Sequence, residues 1–213
     1  MKLKKEYHKL ISEDRLYQTK IPVIGLTGGI ATGKSTVATI LKSEGFSVID
    51  ADQLVKDIYK MQSTRDFIES KYPDVNVNKE IDFGRLREKF FTDKTVKSEI
   101  EGLIYGKLPE AWASEVVKHK DSTLLIYDVP LLFEKALEKY FDVTVLVYAP
   151  RELQKERLIE RDEISEELAE GIINHQMNIE EKKAKADFII ENDGDIEKLG
   201  AEVENFLLQV IYG

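Results

Sequence analysis

The chain has 213 residues, 42% of them apolar and 33% charged, with a formal net charge of -9 at neutral pH. That acidity argues against a general nucleic-acid binder, and the lack of cysteine excludes a disulfide framework, a thiolate metal site and a cysteine nucleophile. No apolar run is long enough for a membrane span.

Residues 1–20 carry Lys2, Lys4, Lys5 and Lys9 with no apolar stretch behind them, so no secretory signal is read. Leu3, Tyr7, Leu10 and Ile11 have helical spacing, which allows an amphipathic helix; a disordered lead fits as well. Residues 21–26 form a short apolar run suited to a buried parallel strand. From Gly28 to Ser35 the chain reads Gly-Gly-Ile-Ala-Thr-Gly-Lys-Ser. This is the spacing G-x-x-x-x-G-K-[ST] of a phosphate-binding loop, between a strand and a helix as that motif requires. Glycines let the backbone turn tightly and bring its N–H groups to the phosphates. Residues 35–43 read as the helix, with Val37, Ile40 and Leu41 on one face, and its N-terminus adds partial positive charge. Lys34 is placed to reach the β- and γ-phosphates, and the Ser35 hydroxyl to ligate Mg²⁺.

Gly45 stops that helix. Residues 46–49 read as a second strand ending in Asp50-Ala51-Asp52. Carboxylates there lie on the edge where open α/β sheets bind ligands. One could accept a proton from an attacking hydroxyl or hold Mg²⁺ through water; Asp52 is equally suited to cap the next helix. Residues 53–120 read as helical with no clear strand, broken at Tyr72-Pro73-Asp74 and interrupted at Pro109. By fold-level analogy, such an insertion carries the second substrate. A third strand at 124–127 ends at Asp128, where P-loop enzymes keep a metal-associated acid. A fourth covers 143–148. Residues 151–185 are charged and helical, with ten acids against seven bases. They read either as a solvated face or as a lid that brings arginine and lysine over a transferred phosphoryl group. Residues 188–190 form a fifth strand and 196–210 a closing helix.

The predicted architecture is α/β: a P-loop NTPase three-layer αβα sandwich on a five-stranded parallel sheet. Its core takes residues 21–52, 121–150 and 186–213. Residues 53–120 are the helical acceptor-substrate insertion, 151–185 the helical lid, and 1–20 an N-terminal extension.

With these segments placed, the chain resembles the dephospho-coenzyme A kinases, from about residue 22 to the C-terminus. The resemblance rests on Leu-Thr-Gly-Gly-Ile-Ala-Thr-Gly-Lys-Ser-Thr at 26–36, Ile-Asp-Ala-Asp at 49–52 and Asp-Val-Pro-Leu-Leu-Phe-Glu at 128–134. Gln154, Arg157, Arg161-Asp162, Gln176 and Ala186-Asp187 leading to Asn192 add to it. The loop is shared by many kinases; the ordered set is far more specific. The resemblance implies transfer of the γ-phosphoryl group of ATP to the ribose 3′-hydroxyl of dephospho-CoA, with Mg²⁺. It implies Asp52 as the base that activates the hydroxyl, with Lys34 and Arg157 as further catalytic residues. Gly28, Gly29, Ile30, Ala31, Thr32, Gly33, Lys34, Ser35 and Thr36 become the ATP loop, with Arg161 on the adenine side. Asp52, Leu131, Phe133, Gln176 and Lys182 become acceptor contacts, and Ser35 and Asp128 metal ligands. The implied partners are ATP and dephospho-CoA, with neither nucleic acid nor membrane, in a cytoplasmic monomer or weak homo-oligomer.

The departures fall in the insertion. Tyr105-Gly106 stand where the family usually has His-Pro, and Phe83 where an arginine is usual. Two other readings stay open: a kinase of the same fold acting on another small hydroxyl or nucleotide, and a catalytically weak nucleotide-binding protein. A GTPase is disfavoured, because no Asn-Lys-x-Asp motif occurs.

Overall fold

The computed structural model describes residues 1–77 and 80–212. Contacts divide the chain into two compact units, residues 1–51 with 121–213, and residues 52–120.

In the first unit, β1 (Lys2–Leu3) is followed by β2 (Val23–Gly28), α1 (Lys34–Ser43) and β3 (Ser47–Asp50). Every residue of β2 is buried, which is why it reads as a continuous apolar run. Gly45, at φ +85°, ends α1 in the left-handed conformation that glycine adopts without strain. In the second unit, α2 (Ala51–Lys60) begins one residue before the unit's boundary and is followed by α3 (Gln62–Lys71). A small antiparallel pair, β4 (Asn76–Val77) and β5 (Glu80–Ile81), comes next. The expectation of no strand in 53–120 is therefore corrected: these two-residue strands are too short to leave an alternating pattern. After them come α4 (Phe83–Thr92) and α5 (Lys94–Lys118), capped by Asp82 and Asp93, whose carboxylates accept first-turn N–H groups. Pro109 does not interrupt α5, which runs on to Lys118. An internal proline costs about 3 kcal/mol. Burial of Ile100 and Ile104 before it and Ala111 and Trp112 after it offsets that cost, at about 1.5–3 kcal/mol for each large apolar side chain.

The first unit resumes with β6 (Leu125–Asp128), β7 (Val143–Tyr148), α6 (Arg151–Asp162), α7 (Glu166–Asn174), α8 (Ile179–Lys185), β8 (Phe188–Glu191), α9 (Ile196–Val210) and β9 (Ile211–Tyr212). The main sheet has the order β3-β6-β2-β7-β8 and every pairing in it is parallel. This five-stranded parallel sheet flanked by helices is the predicted architecture. Val37 and Leu41 of α1 and Leu199, Val203 and Phe206 of α9 bury against Ile24, Leu26, Val145, Val147 and Ile190. At Gly25 a Cβ would lie 2.6 Å from Leu132 and 3.0 Å from Phe141, so only glycine admits that packing.

The leading residues form neither an amphipathic α-helix nor a loose lead. β1 pairs antiparallel with β9, burying Leu3, and Tyr7 meets Phe188 edge to face. Arg15 and Asp142 form a buried ion pair at 2.7 Å. A partner strand from the far end of the chain satisfies the backbone here, so tertiary pairing overrides the local helical spacing.

Candidate active site

The loop leaves β2 at Gly28 and enters α1 at Lys34, at the C-terminal edge of the parallel sheet. Gly33 has φ +85°, and a Cβ there would lie 2.2 Å from Asn192 Nδ2, so no other residue fits. Ala31 also takes a positive φ of 58°. Thr32 is fully buried and turns its hydroxyl back to the Gly29 carbonyl at 2.9 Å. No side chain caps α1, so its first-turn N–H groups suit an anion. Ser35 is exposed in that first turn, beside Thr36.

Lys34 forms an ion pair with Asp128, the last residue of β6. Asp128 also stands in register with Leu26 of β2 and Asp50 of β3. Three neighbouring strands thus bring the loop lysine and two carboxylates to one edge, where strand order reverses direction and ligands bind in such sheets. A hydroxyl and a carboxylate are hard oxygen donors, which suits Mg²⁺, an ion that keeps much of its water and needs few protein ligands. Among the described residues, no group of three or more His, Asp or Glu gathers as a metal site.

Side chains from far along the chain hold the loop. Gln176 Oε1 accepts the Ile30 N–H at 2.9 Å. Asn192 Nδ2 donates to the Thr32 carbonyl at 2.8 Å, and Arg157 donates to the Asn192 carbonyl at 3.0 Å. Buried Gln154 donates to the Ala149 carbonyl, with its other amide atom against Gly29. Ile30 and Ala31 pack on a small core of Leu158, Ala169 and Ile173 contributed by α6 and α7. Three placements differ from a direct acceptor contact. Phe133 is only 3% exposed and belongs to the core. Lys182 is fully buried, its ammonium on Glu134 and the Gly28 carbonyl. Gln176 spends its carbonyl oxygen on the loop itself. Leu131 remains exposed. Arg161 is exposed and clasped by Asp162, at 2.7 and 2.9 Å; the guanidinium holds that carboxyl below the usual carboxylate range.

Sequence reasoning left Gln154, Asn192 and Glu134 without roles in the site. Glu134 closes the Asp-Val-Pro-Leu-Leu-Phe-Glu segment, and a carboxylate ending an apolar run was the available signal. Nothing in the spacing pointed Asn192 at Thr32.

In the second unit, Asp52 lies exposed in the first turn of α2. The helix already starts at Ala51, so Asp52 is not its cap; an acid in the first turn still favours the helix dipole. Tyr105 and Gly106 are exposed on α5. Phe83 is exposed and meets Tyr59 edge to face at 5.4 Å. These two rings, with Arg65, Glu69, Glu80 and Ile81, line an open pocket within this unit.

The parallel sheet and its loop define a nucleotide-binding α/β protein of the P-loop kinase class. The sequence profile described as dephospho-CoA kinase matches residues 22–198. The chain belongs to the dephospho-CoA kinase family. It is 42% identical over 188 residues to a dephospho-CoA kinase of Fusobacterium nucleatum, covering 87% of this chain and 97% of that one. It is 33% identical to a dephospho-CoA kinase of Arabidopsis thaliana, covering 88% and 83%. Among solved structures, a protein of Thermus thermophilus aligns with a TM-score of 0.78 at 30% identity, over 91% of this chain and all of that one. Dephospho-CoA kinase from Campylobacter jejuni aligns with a TM-score of 0.67 at 28% identity, over 88% and 96%.

Proposed function

We infer that this chain is an ATP-dependent dephospho-CoA kinase, which moves the γ-phosphoryl group of ATP to the ribose 3′-hydroxyl of dephospho-CoA and yields coenzyme A and ADP. The observation that carries the reading is family membership over residues 22–198 together with an intact loop and its Lys34–Asp128 pair. Phosphoryl transfer through a loose transition state needs positioning and charge neutralisation more than covalent catalysis. The loop N–H groups and the α1 N-terminus would cradle the phosphates. Lys34 would exchange Asp128 for phosphate oxygens and offset the charge that builds on them. Ser35 and Asp128 would hold Mg²⁺, whose charge, when bound, adds to that neutralisation. Asp52 would accept the hydrogen bond of the 3′-hydroxyl, orient its oxygen and take its proton as the new bond forms. Arg157, fixed to the Asn192 carbonyl, and Arg161, once released from Asp162, are the lid cations of this proposal. Leu131 is the exposed apolar residue left for the acceptor after Asp128. The proposed compartment is the cytoplasm, where ATP is supplied, and fractionation checks it.

Coupled ADP release, with dephospho-CoA, adenosine, AMP and shikimate offered separately, tests the reading. Turnover with dephospho-CoA alone is the expected result. Turnover with another acceptor and none with dephospho-CoA would move the chain to a different substrate, and Tyr105-Gly106 and Phe83 would be the first places to look.

A further inference from the structure

Lysine is almost never completely buried, and an ammonium group taken out of water is costly unless it is fully paired. Lys182 is completely buried. Its Nζ lies 2.7 Å from Glu134 Oε1, 3.2 Å from the Gly28 carbonyl oxygen and 3.5 Å from the Pro130 carbonyl oxygen. An ammonium carries three protons, and these three oxygens account for them. Each partner is itself tied into the site. Glu134 Oε1 also accepts the Met177 N–H at 3.1 Å, and the Pro130 carbonyl also accepts the Thr27 hydroxyl at 3.3 Å. One buried cation thus joins the start of the phosphate loop, the segment that follows Asp128, and the turn that leads from Gln176 into α8.

We propose that Lys182 is a positioning residue for the nucleotide loop, fixing the peptide at Gly28, and not a cation that meets the phosphoryl group or the acceptor. The proposal rests on the kinase reading above and deepens it. A phosphate loop works by aiming N–H groups at its ligand, and any carbonyl that turns toward the phosphates repels them. Lys182 holds the Gly28 carbonyl at one end of the loop, and Asn192 holds the Thr32 carbonyl at the other. For Lys182 to reach a ligand it would have to abandon Glu134, whose Oε2 is already buried without a hydrogen-bond partner. The same contacts fasten Met177 and Lys182, through Glu134, to the start of the loop.

Two variants test this, Lys182→Met and the double variant Lys182→Met with Glu134→Gln. For each, affinity for a non-hydrolysable ATP analogue is measured by calorimetry without acceptor, alongside kcat, KM for dephospho-CoA and the thermal midpoint. Lys182→Met should weaken analogue affinity by about tenfold or more and leave the dephospho-CoA KM within about threefold of wild type. The double variant removes both charges and should recover most of the thermal midpoint. It should not recover analogue affinity, because no donor remains at the Gly28 carbonyl. If Lys182→Met fails to fold, the double variant is read in the same way. Unchanged analogue affinity in the double variant overturns the proposal, whatever happens to acceptor KM. Because the binding measurement uses no acceptor, it stays readable if wild type fails to phosphorylate dephospho-CoA, and that failure would sink the kinase reading alone.

Discussion

Lys34, the first residue of α1, is ion-paired with Asp128, the last residue of β6, 94 positions away in the chain. The pair parks the loop lysine at the sheet edge and keeps its charge beside the helix N-terminus. Further along α1, Val37 and Leu41 make the core, so the helix keeps its apolar anchors when Lys34 is truncated. Lys34→Ala should lower turnover by about a hundredfold or more, on the order of 3 kcal/mol of transition-state stabilisation. The far-ultraviolet dichroism should stay native. Turnover near wild type would remove the loop from the mechanism.

Asp50 and Asp52 straddle the start of α2, and they should separate cleanly in kinetics. Asp50 ends β3 in register with Asp128, whereas Asp52 is exposed in the first helical turn. Asp52→Asn keeps the shape and removes the charge. It should lower turnover by about a hundredfold with ATP affinity within a few-fold, while Asp50→Asn should act mainly on stability. The reverse pattern in steady-state kinetics would exchange the two roles, and no effect from either would make Asp128 the next candidate base.

Arg15 turns the leading segment into part of the fold. It meets both oxygens of buried Asp142, at 2.7 and 3.0 Å, and the Leu10 carbonyl, in half-buried surroundings, at 2.7 Å. Removing one partner of a buried pair typically costs about 3–5 kcal/mol. Arg15→Met should therefore lower denaturant stability by roughly that amount, softened by the Val23 N–H that Asp142 retains. Turnover per folded molecule should not change. A denaturation midpoint equal to wild type would mean that the segment merely lies on the surface.

Asp187 supplies a pH-dependent term. Burial pushes its carboxyl upward, but hydrogen bonds from Lys9 and from the Thr144 N–H and hydroxyl outweigh that, and the group titrates below its ordinary value. A carboxyl depressed in the folded state stabilises the fold above its unfolded value, about pH 4, and that contribution is lost as pH falls through the lower folded value. Melting midpoints of wild type and Asp187→Asn should differ at pH 7 and converge below about pH 4. A constant difference down to pH 3 would show that the charge plays no part.

Elements carried by local rules were legible before the structure. The five apolar runs at the parallel strands, the glycine stop at Gly45 and the closing helix all follow from short-range sterics and burial. Pro109 misled, because burial on both sides of it in α5 outweighs a local penalty. The leading residues misled for a related reason: β1 has only two residues, and its partner strand begins at Ile211.

At the site the same division holds. The phosphate loop could be recognised from spacing alone, because eight consecutive residues must supply the turn, the lysine and the hydroxyl in fixed order. Which side chains hold that loop in shape was decided only by tertiary contact. Ile30 meets Gln176 across 146 positions, Gly28 meets Lys182 across 154, and Thr32 meets Asn192 across 160. Hydrogen bonds over such separations impose no periodicity on the chain, so a polar residue that grips the loop and one that faces solvent read alike until the sheet brings them together.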